Sequence, residues 1–585
     1  QNSLSTRLAK LNPEQRNAVE TIEGPVMVIA GPGTGKTETL GARIANILQK
    51  TDSDPHNILC LTYTNAGVVA MRKRLLEFIG PDAQKVEIHT FHSFCNKVIQ
   101  ENPEIFSQTR DEENISPLEQ HEILDEILDN LPTSSLFFSH NNSYFWSDKL
   151  LNFFGVLKSE KWTPEMVREK SQEFLDSLPE NSEFQYKRKY TNKKTGETFQ
   201  KGDINPAKIK KEDDKIQKLR EALEISEKYS EKMKELGKYD FNDMILWVLE
   251  KFSTSDSLLA EYQEQFQYIL VDEFQDTNGS QKELIDHLIS YWESPNIFVV
   301  GDDDQSIYRF QGANMRNILE FFGDHKEAIS TITLTKNYRS TQKILDTAEA
   351  VIARNSERLV SEISGLSKHL TAENDKNPEI SPTLTAYYNE MHEQLGVFNA
   401  IKKLHESGEN LSKTAVIYKN HRQAENIIAL CEHAKIPLRV KENQNILELP
   451  LTKFILEMLK YFQAEKNTPF SGESILYKMM YFPFWKIDQH DIALVTLKLR
   501  ENSRKNHVGA DSICPEISEE QKHLKTLLLI LDKNREFFEN LKNPEALKTF
   551  AETIVSLEGF AQTRLQICDI RLHTKRVSRH DHEAP

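Results

Sequence analysis

The segment that most constrains this chain is Val26-Met27-Val28-Ile29-Ala30-Gly31-Pro32-Gly33-Thr34-Gly35-Lys36-Thr37. An apolar run of strand length gives way to a glycine-rich loop and then to a helix-forming stretch, which is the context a phosphate-binding loop requires. Gly33 and Gly35 let backbone N–H groups converge on phosphate oxygens. Lys36 supplies a point charge, and the Thr37 hydroxyl is suited to Mg²⁺. Ala30, Gly31, Pro32 and Thr34 complete the loop, with Ala30 replacing the first glycine of the general pattern. A glycine turn that merely opens a helix is the competing reading, and the strand and helix on either side argue against it.

A triphosphate site also needs a second metal anchor. Tyr268-Ile269-Leu270-Val271-Asp272-Glu273 offers one at the end of another apolar strand. Asp272 is placed to hold the Mg²⁺, and Glu273 to take a proton from an attacking water. Adjacent acids at a strand end are commonplace and usually just solvated, but downstream of a phosphate loop they read as hydrolytic.

The same strand–loop–helix rhythm recurs at Val26–Ala30, Ile58–Thr62, 86–89, 269–272, Ile297–Gly301 and 332–335, which predicts a mainly parallel, doubly wound α/β sheet. Between about Asn102 and Leu236 the chain is Glu/Lys-rich and helical, an inserted subdomain. Within it, 186–202 reads as a basic hairpin turning at Lys194-Thr195-Gly196. A second α/β region is expected from Thr331 through 384–388, 415–418 and 438–440. From Leu449 onward apolar residues fall at helix spacing (Ile455, Met458, Leu459, Phe462), and no strand pattern returns.

A chain of 585 residues is too long for one core. With 38% hydrophobic and 28% charged residues, it belongs to neither the disordered nor the membrane class. No apolar run approaches the ~18 residues of a membrane helix, so no membrane partner and a cytoplasmic location are expected. Cys60, Cys95, Cys431, Cys514 and Cys568 lie far apart with no CxxC pair, and read as ordinary thiols. The formal charge of −16 does not exclude nucleic acid, which is bound by local patches.

Three further segments carry a specific resemblance to the UvrD/Rep family of superfamily 1 helicases. They are Leu11-Asn12-Pro13-Glu14-Gln15-Arg16, the acidic run from Val271 to Asn278, and Gly301-Asp302-Asp303-Asp304-Gln305-Ser306-Ile307-Tyr308-Arg309-Phe310-Gln311-Gly312-Ala313. Leu334-Thr335-Lys336-Asn337-Tyr338-Arg339-Ser340 adds a fourth. The resemblance implies that Gln15 reads adenine, that Gln305 senses the γ-phosphate, that Tyr338 stacks on adenine and that Arg339 is an arginine finger. It implies ATP and Mg²⁺ as ligands. It also implies an α/β fold built from a P-loop NTPase (RecA-like) motor domain and an incomplete second RecA-like domain, with inserted mainly helical subdomains. The expected boundaries are 1–101 and 236–330 for the first motor domain, 102–235 for its insertion, 331–447 for part of the second, and 448–585 for a partial helical insertion.

Single-stranded DNA is bound by grooves with aromatic faces. Thr62-Tyr63-Thr64-Asn65 and Thr90-Phe91-His92-Ser93-Phe94 resemble the family's DNA-contacting motifs. Phe241, Tyr308 and Phe310 would add stacking faces. Lys187, Arg188, Lys189, Lys193, Lys194 and Lys201 either solvate the hairpin, the reading preferred from sequence, or track phosphates.

The chain departs from relatives at Glu38, Gln311 and Ala66-Gly67-Val68. The family's last two motifs are not found after Leu449, so the sequence reads as C-terminally truncated, with weak hydrolysis expected. The expected function is an ATP-dependent DNA helicase or translocase on single-stranded DNA and single/double-strand junctions, 3′ to 5′ by resemblance, in repair, replication or recombination. The alternative is a nucleotide-gated single-strand-binding module. A signalling GTPase would want a guanine-reading Asn-Lys-x-Asp segment, which is not found after the acidic motif.

Overall fold

Every residue of Val26–Ala30 (β1) and Ile58–Thr62 (β2) is buried. That is why these strands read as unbroken apolar runs: a parallel sheet is covered by helices on both faces. With Glu87–Thr90 (β3), Tyr268–Val271 (β4), Ile297–Gly301 (β5) and Ser330–Leu334 (β6), they form a six-stranded sheet ordered β6-β1-β5-β4-β2-β3. All its pairings are parallel. The period of two sorts β1, β2, β4 and β5 between two cores. Val26, Val28 and Ala30 face Leu40, Ile44 and Ile47 of Lys36–Lys50 (α2), with Met71 and Leu75 of Asn65–Ile79 (α3). Met27 and Ile29 face the other way, into a core shared with Phe91–Glu101 (α4), Phe241–Thr254 (α5) and Gly279–Ile289 (α6). At about 1.5–3 kcal/mol per buried aliphatic side chain, this two-faced core sets the strand ends firmly enough for strained loops to follow them.

The structure, a computed structural model, describes residues 7–107, 112–138, 143–191, 197–306, 316–355, 358–363, 366–373, 380–440, 449–505, 523–529 and 540–559. The chain divides into two compact units, 1–384 and 385–585. Within the first, the helices Pro117–Asp129, Ser147–Ser159 and Pro206–Glu235 pack around Leu124, Phe154, Ile225 and Tyr229 as a satellite core. The expected hairpin shows its two arms, Tyr190–Thr191 antiparallel to Thr198–Phe199; its expected turn at 194–196, with Lys193 and Lys194, lies outside the described residues.

Two expectations about strands are corrected. The second α/β region is expected to begin near Thr331, but Ser330–Leu334 pairs along its whole length with β1 and forms the edge of the first sheet. Beyond it, Lys336–Asn337 (β7) and Thr371–Ala372 (β8) make a two-residue parallel pair. The segments 384–388, 415–418 and 438–440 form no ladder among the described residues. Leu384, Tyr388 and Ile417 are 100%, 92% and 94% exposed, whereas a parallel strand needs neighbours and covered faces to hold together.

The second unit is helical beyond Leu449, as its spacing predicts. Pro450–Asn467, Glu473–Met479 and Leu524–Leu529 surround Phe454, Tyr461, Met479, Leu528 and Phe550. The buried stripe of Pro450–Asn467 is Phe454, Tyr461 and Phe462, and Ile455 and Leu459 of the expected stripe are exposed. Among the described residues, no helix is long and apolar enough to cross a membrane.

Candidate functional site

Because the sheet is parallel, the carboxyl ends of its strands lie along one edge, where open α/β sheets bind ligands. The loop after β1 is fixed from within: Thr34 is fully buried and its hydroxyl donates to the Gly31 carbonyl at 2.7 Å. Gly33 and Gly35 have φ of 73° and 87°, a region that side chains resist. Space forbids a side chain there as well. A Cβ on Gly33 would lie 2.7 Å from the Cβ of Arg339, and one on Gly35 2.7 Å from Gln15 Nε2. Lys36 opens α2, so free N–H groups and the positive end of the helix dipole face the loop.

β5 lies between β1 and β4, so loop and acids face each other across its end. Lys36 spans that gap, its Nζ 2.5 Å from Glu273 Oε2. Glu273 has a φ of 50°, uncommon for a residue with a side chain. Its Oε2 also accepts from Gln275 Nε2 at 2.9 Å, and Gln275 Oε1 accepts the Asp302 N–H at 2.9 Å. The buried amide of Gln275 therefore ties the end of β4 to the end of β5. Burial, reinforced by Glu273, pushes the Asp272 carboxyl up to about 6. The same two causes push Asp276 up to about 6, and its Oδ1 is buried without a hydrogen-bond partner. Asp272 and Asp276 are therefore short of compensating positive charge, and their ligand atoms are hard oxygens. The edge fits Mg²⁺, which takes one or two carboxylates plus substrate phosphates. Thr37 and Asp272 are the residues that would hold it.

The segment after β6 is laced onto the phosphate loop. The Tyr338 N–H donates to the Gly33 carbonyl at 2.9 Å, and Asn337 Nδ2 donates to the Pro32 carbonyl. Asn337 Oδ1 accepts the N–H groups of Arg339 at 2.9 Å and Ser340 at 2.7 Å. Gln15 is buried, with Nε2 donating to the Thr34 carbonyl at 2.9 Å and Oε1 accepting the Asn12 N–H at 3.2 Å. Asn12 Nδ2 donates to the Tyr338 hydroxyl at 2.9 Å. Gln15, Lys36, Glu273, Tyr338 and Arg339 thus converge on one loop. Gln305 joins them through Asp302, whose Oδ2 accepts its Nε2 at 2.6 Å. Sequence reasoning missed Asn337, Gln275 and Asp276 as site residues, although all three stand inside motifs that it quoted.

The DNA candidates divide. Thr62 is buried and its hydroxyl donates to the Thr64 carbonyl at 3.0 Å, a structural bond. Tyr63 is half-buried, and Thr64 and Asn65 are exposed at the start of α3. A Cβ on Gly67 would lie 3.0 Å from Thr62 Oγ1, a tight contact; nothing in the structure explains the departure at Ala66 and Val68. Phe91, expected to stack on bases, is 2% exposed in the sheet core. Phe94 is buried beside it. As the first residue of α4, Phe91 is buried in the core that the sheet shares with Met244, Ile245 and Val248 of α5. His92 and Phe241 meet edge to face, with ring centroids 6.1 Å apart. Burial lowers the His92 pKa, and Phe241 is 61% exposed. Asp240 caps α5 just before Phe241, and Lys158 of the inserted subdomain bridges Asp240 and Asp243, at 2.7 Å each. Tyr308 and Phe310 lie outside the described residues.

Residues 11–326 match the family model for the UvrD/REP helicase N-terminal domain, and 332–557 that for the UvrD-like helicase C-terminal domain. The chain is 30% identical over 468 residues to the ATP-dependent DNA helicase PcrA of Staphylococcus epidermidis, covering 80% of this chain and 55% of that protein. It is 29% identical over 476 residues to PcrA of Staphylococcus aureus strain Mu50, covering 81% and 56%. The chain thus spans about half the length of the curated relatives it matches. On the two family matches and the motif edge they enclose, the chain belongs to the UvrD/REP helicase family.

Proposed function

We propose that this chain is the ATP-hydrolysing motor of a DNA helicase that moves along single-stranded DNA, in the 3′ to 5′ direction, and serves DNA repair, replication or recombination. The name carried by its relatives, ATP-dependent DNA helicase, supports the activity. Family resemblance supports the direction and the DNA junction as substrate.

The chemistry follows from the Lys36–Glu273 pair, the observation that carries this reading. In the resting arrangement each neutralises the other. A triphosphate entering the loop competes for Lys36, whose ammonium turns to the phosphate oxygens, and Glu273 is released to accept a proton from the attacking water. Thr37 and Asp272 would hold Mg²⁺, which would supply charge neutralisation to the phosphoryl oxygens. Gln305 would align that water, and Arg339 would place its planar fork against charge that develops on the transferred phosphoryl group, a contribution of about 10³ to 10⁵ in rate for such fingers. Gln15 and Tyr338 flank the adenine. Tyr63 and Asn65 follow β2, and Phe241 lies against His92, which follows β3, so these candidate DNA contacts stand along the same edge as the nucleotide loop.

Lys36→Ala is the test. Phosphate release stimulated by single-stranded DNA should drop to background. Survival of that stimulation would sink the assignment of the loop.

A further inference from the structure

Three consecutive aspartates, Asp302, Asp303 and Asp304, stand between β5 and Gln305. Carboxylates so close repel one another and resist burial, yet Asp302 and Asp303 are 1% and 5% exposed. A single buried ammonium meets all three. Lys368 Nζ lies 2.7 Å from Asp302 Oδ1, 2.6 Å from Asp303 Oδ1 and 2.8 Å from Asp304 Oδ2. Arg358 adds a two-pronged bond to Asp304, 2.7 Å on each arm, and the Leu359 N–H donates to Asp303 Oδ2 at 2.9 Å. Buried ion clusters of this kind gain little stability over well-packed apolar residues. Stability alone does not account for this one.

Lys368 restricts where Gln305 points. It occupies Oδ1 of Asp302, while Oδ2 of the same carboxylate accepts the Gln305 amide at 2.6 Å. The Asp302 N–H in turn holds Gln275, whose amide reaches Glu273. In the other direction the chain runs from Lys368 directly into Thr371–Ala372 (β8), which pairs with Lys336–Asn337 (β7). The next residues are Tyr338 and Arg339. Lys368 therefore joins the loop that carries Gln305 to the strand pair that presents Arg339.

We infer that Lys368 is a positioning residue that yokes Gln305 to Arg339 across the triphosphate site, so that both address the transferred phosphoryl group together. It touches no substrate. Arg358, which reaches Asp304 alone, is the lesser brace. The inference rests on the reading of this edge as a hydrolytic nucleotide site.

The test compares the affinity of the 585-residue chain for mant-ADP with and without aluminium fluoride, which imitates the phosphoryl group in flight and is bound by groups that favour the transition state. Lys368→Met should bind mant-ADP within about 3-fold of the parent, yet lose at least about 10-fold of the extra tightening that aluminium fluoride brings. Lys368→Arg should retain most of that tightening, and Arg358→Met should lose less of it. Because Lys368→Met strands buried carboxylates, the double variant Asp303→Asn/Lys368→Met, with less uncompensated charge, is measured beside it and should show the same selective loss. Parent-like tightening in either Met variant overturns the inference. Should the parent itself show no tightening, the hydrolytic reading fails and the inference falls with it.

Discussion

Asp272 and Asp276 are acids whose surroundings favour the proton. Each titrates in the folded chain at about 6, above the usual ~3.9 of an aspartate, so folding tightens proton binding. Their contribution to stability is complete below about pH 4 and is lost as the pH rises through about 6. At neutral pH Asp272 is therefore a burden on the chain without ligand, and Asp272→Asn should stabilise that state by on the order of 1 kcal/mol. The same change should weaken Mg²⁺-dependent nucleotide binding at least about tenfold. Thermal melting with and without Mg²⁺ and nucleotide reads both effects, and a ligand-free variant that melts lower than its parent would contradict the burial argument. Proton and cation compete for the same oxygens. Affinity for Mg²⁺-nucleotide should accordingly fall as the pH drops below about 6, approaching about tenfold per unit, and Asp272→Asn should flatten that profile.

At the scale of elements, α4 and α5 offer a paired comparison. Phe241, exposed at the start of α5, is a stacking face, so Phe241→Ala should cost about 1–3 kcal/mol in single-strand binding with little change in melting. Phe91, buried in the core shared with α5, should behave oppositely, with Phe91→Ala losing about 3–5 kcal/mol of stability. Oligonucleotide titration beside thermal melting separates them, and weakened binding by a Phe91→Ala variant of normal stability would reverse the assignment. The same contrast shows what sequence makes legible. The phosphate loop, the acid pair and the hairpin are local patterns of residue type and spacing, and they stood out. The core that buries Phe91 includes α5, some 150 residues on, and the contact of Lys368 with Asp302 spans 66 residues. Membership of β6 in the first sheet is decided by pairing with β1, which chain order conceals. The hairpin itself gains a sharper reading. Tyr186 stacks on both Tyr190 and Phe199, with centroids 5.4 and 4.7 Å apart. Among the described residues, Lys187, Arg188, Lys189 and Lys201 have no carboxylate within ion-pair distance, whereas Lys158, Arg168 and Lys232 of the same subdomain are paired. Free cations beside stacked rings suit a phosphate backbone better than solvent alone. Replacing Lys187, Lys189 and Lys201 by Gln should reduce the slope of log affinity against log salt by about 2, and an unchanged slope would leave the hairpin a solvated face.

On the scale of the whole molecule, residues 1–384 hold Gln15, Lys36, Asp272, Gln305, Tyr338 and Arg339. Residues 385–585 have a separate core around Tyr461, Met479 and Phe550. Units with their own cores unfold as distinct cooperative steps unless a large apolar interface couples them. A ligand raises the step of the unit whose native form binds it, by about 2.7 kcal/mol at a concentration 100 times its Kd. Two transitions are the outcome expected in calorimetry of the chain, with Mg²⁺ and a non-hydrolysable ATP analogue moving the one that belongs to 1–384. Lys36→Ala should abolish that displacement while leaving both transitions in place. Equal displacement of the two transitions would mean instead that nucleotide binding is felt throughout 385–585, and the bound state would have to be described as one cooperative body.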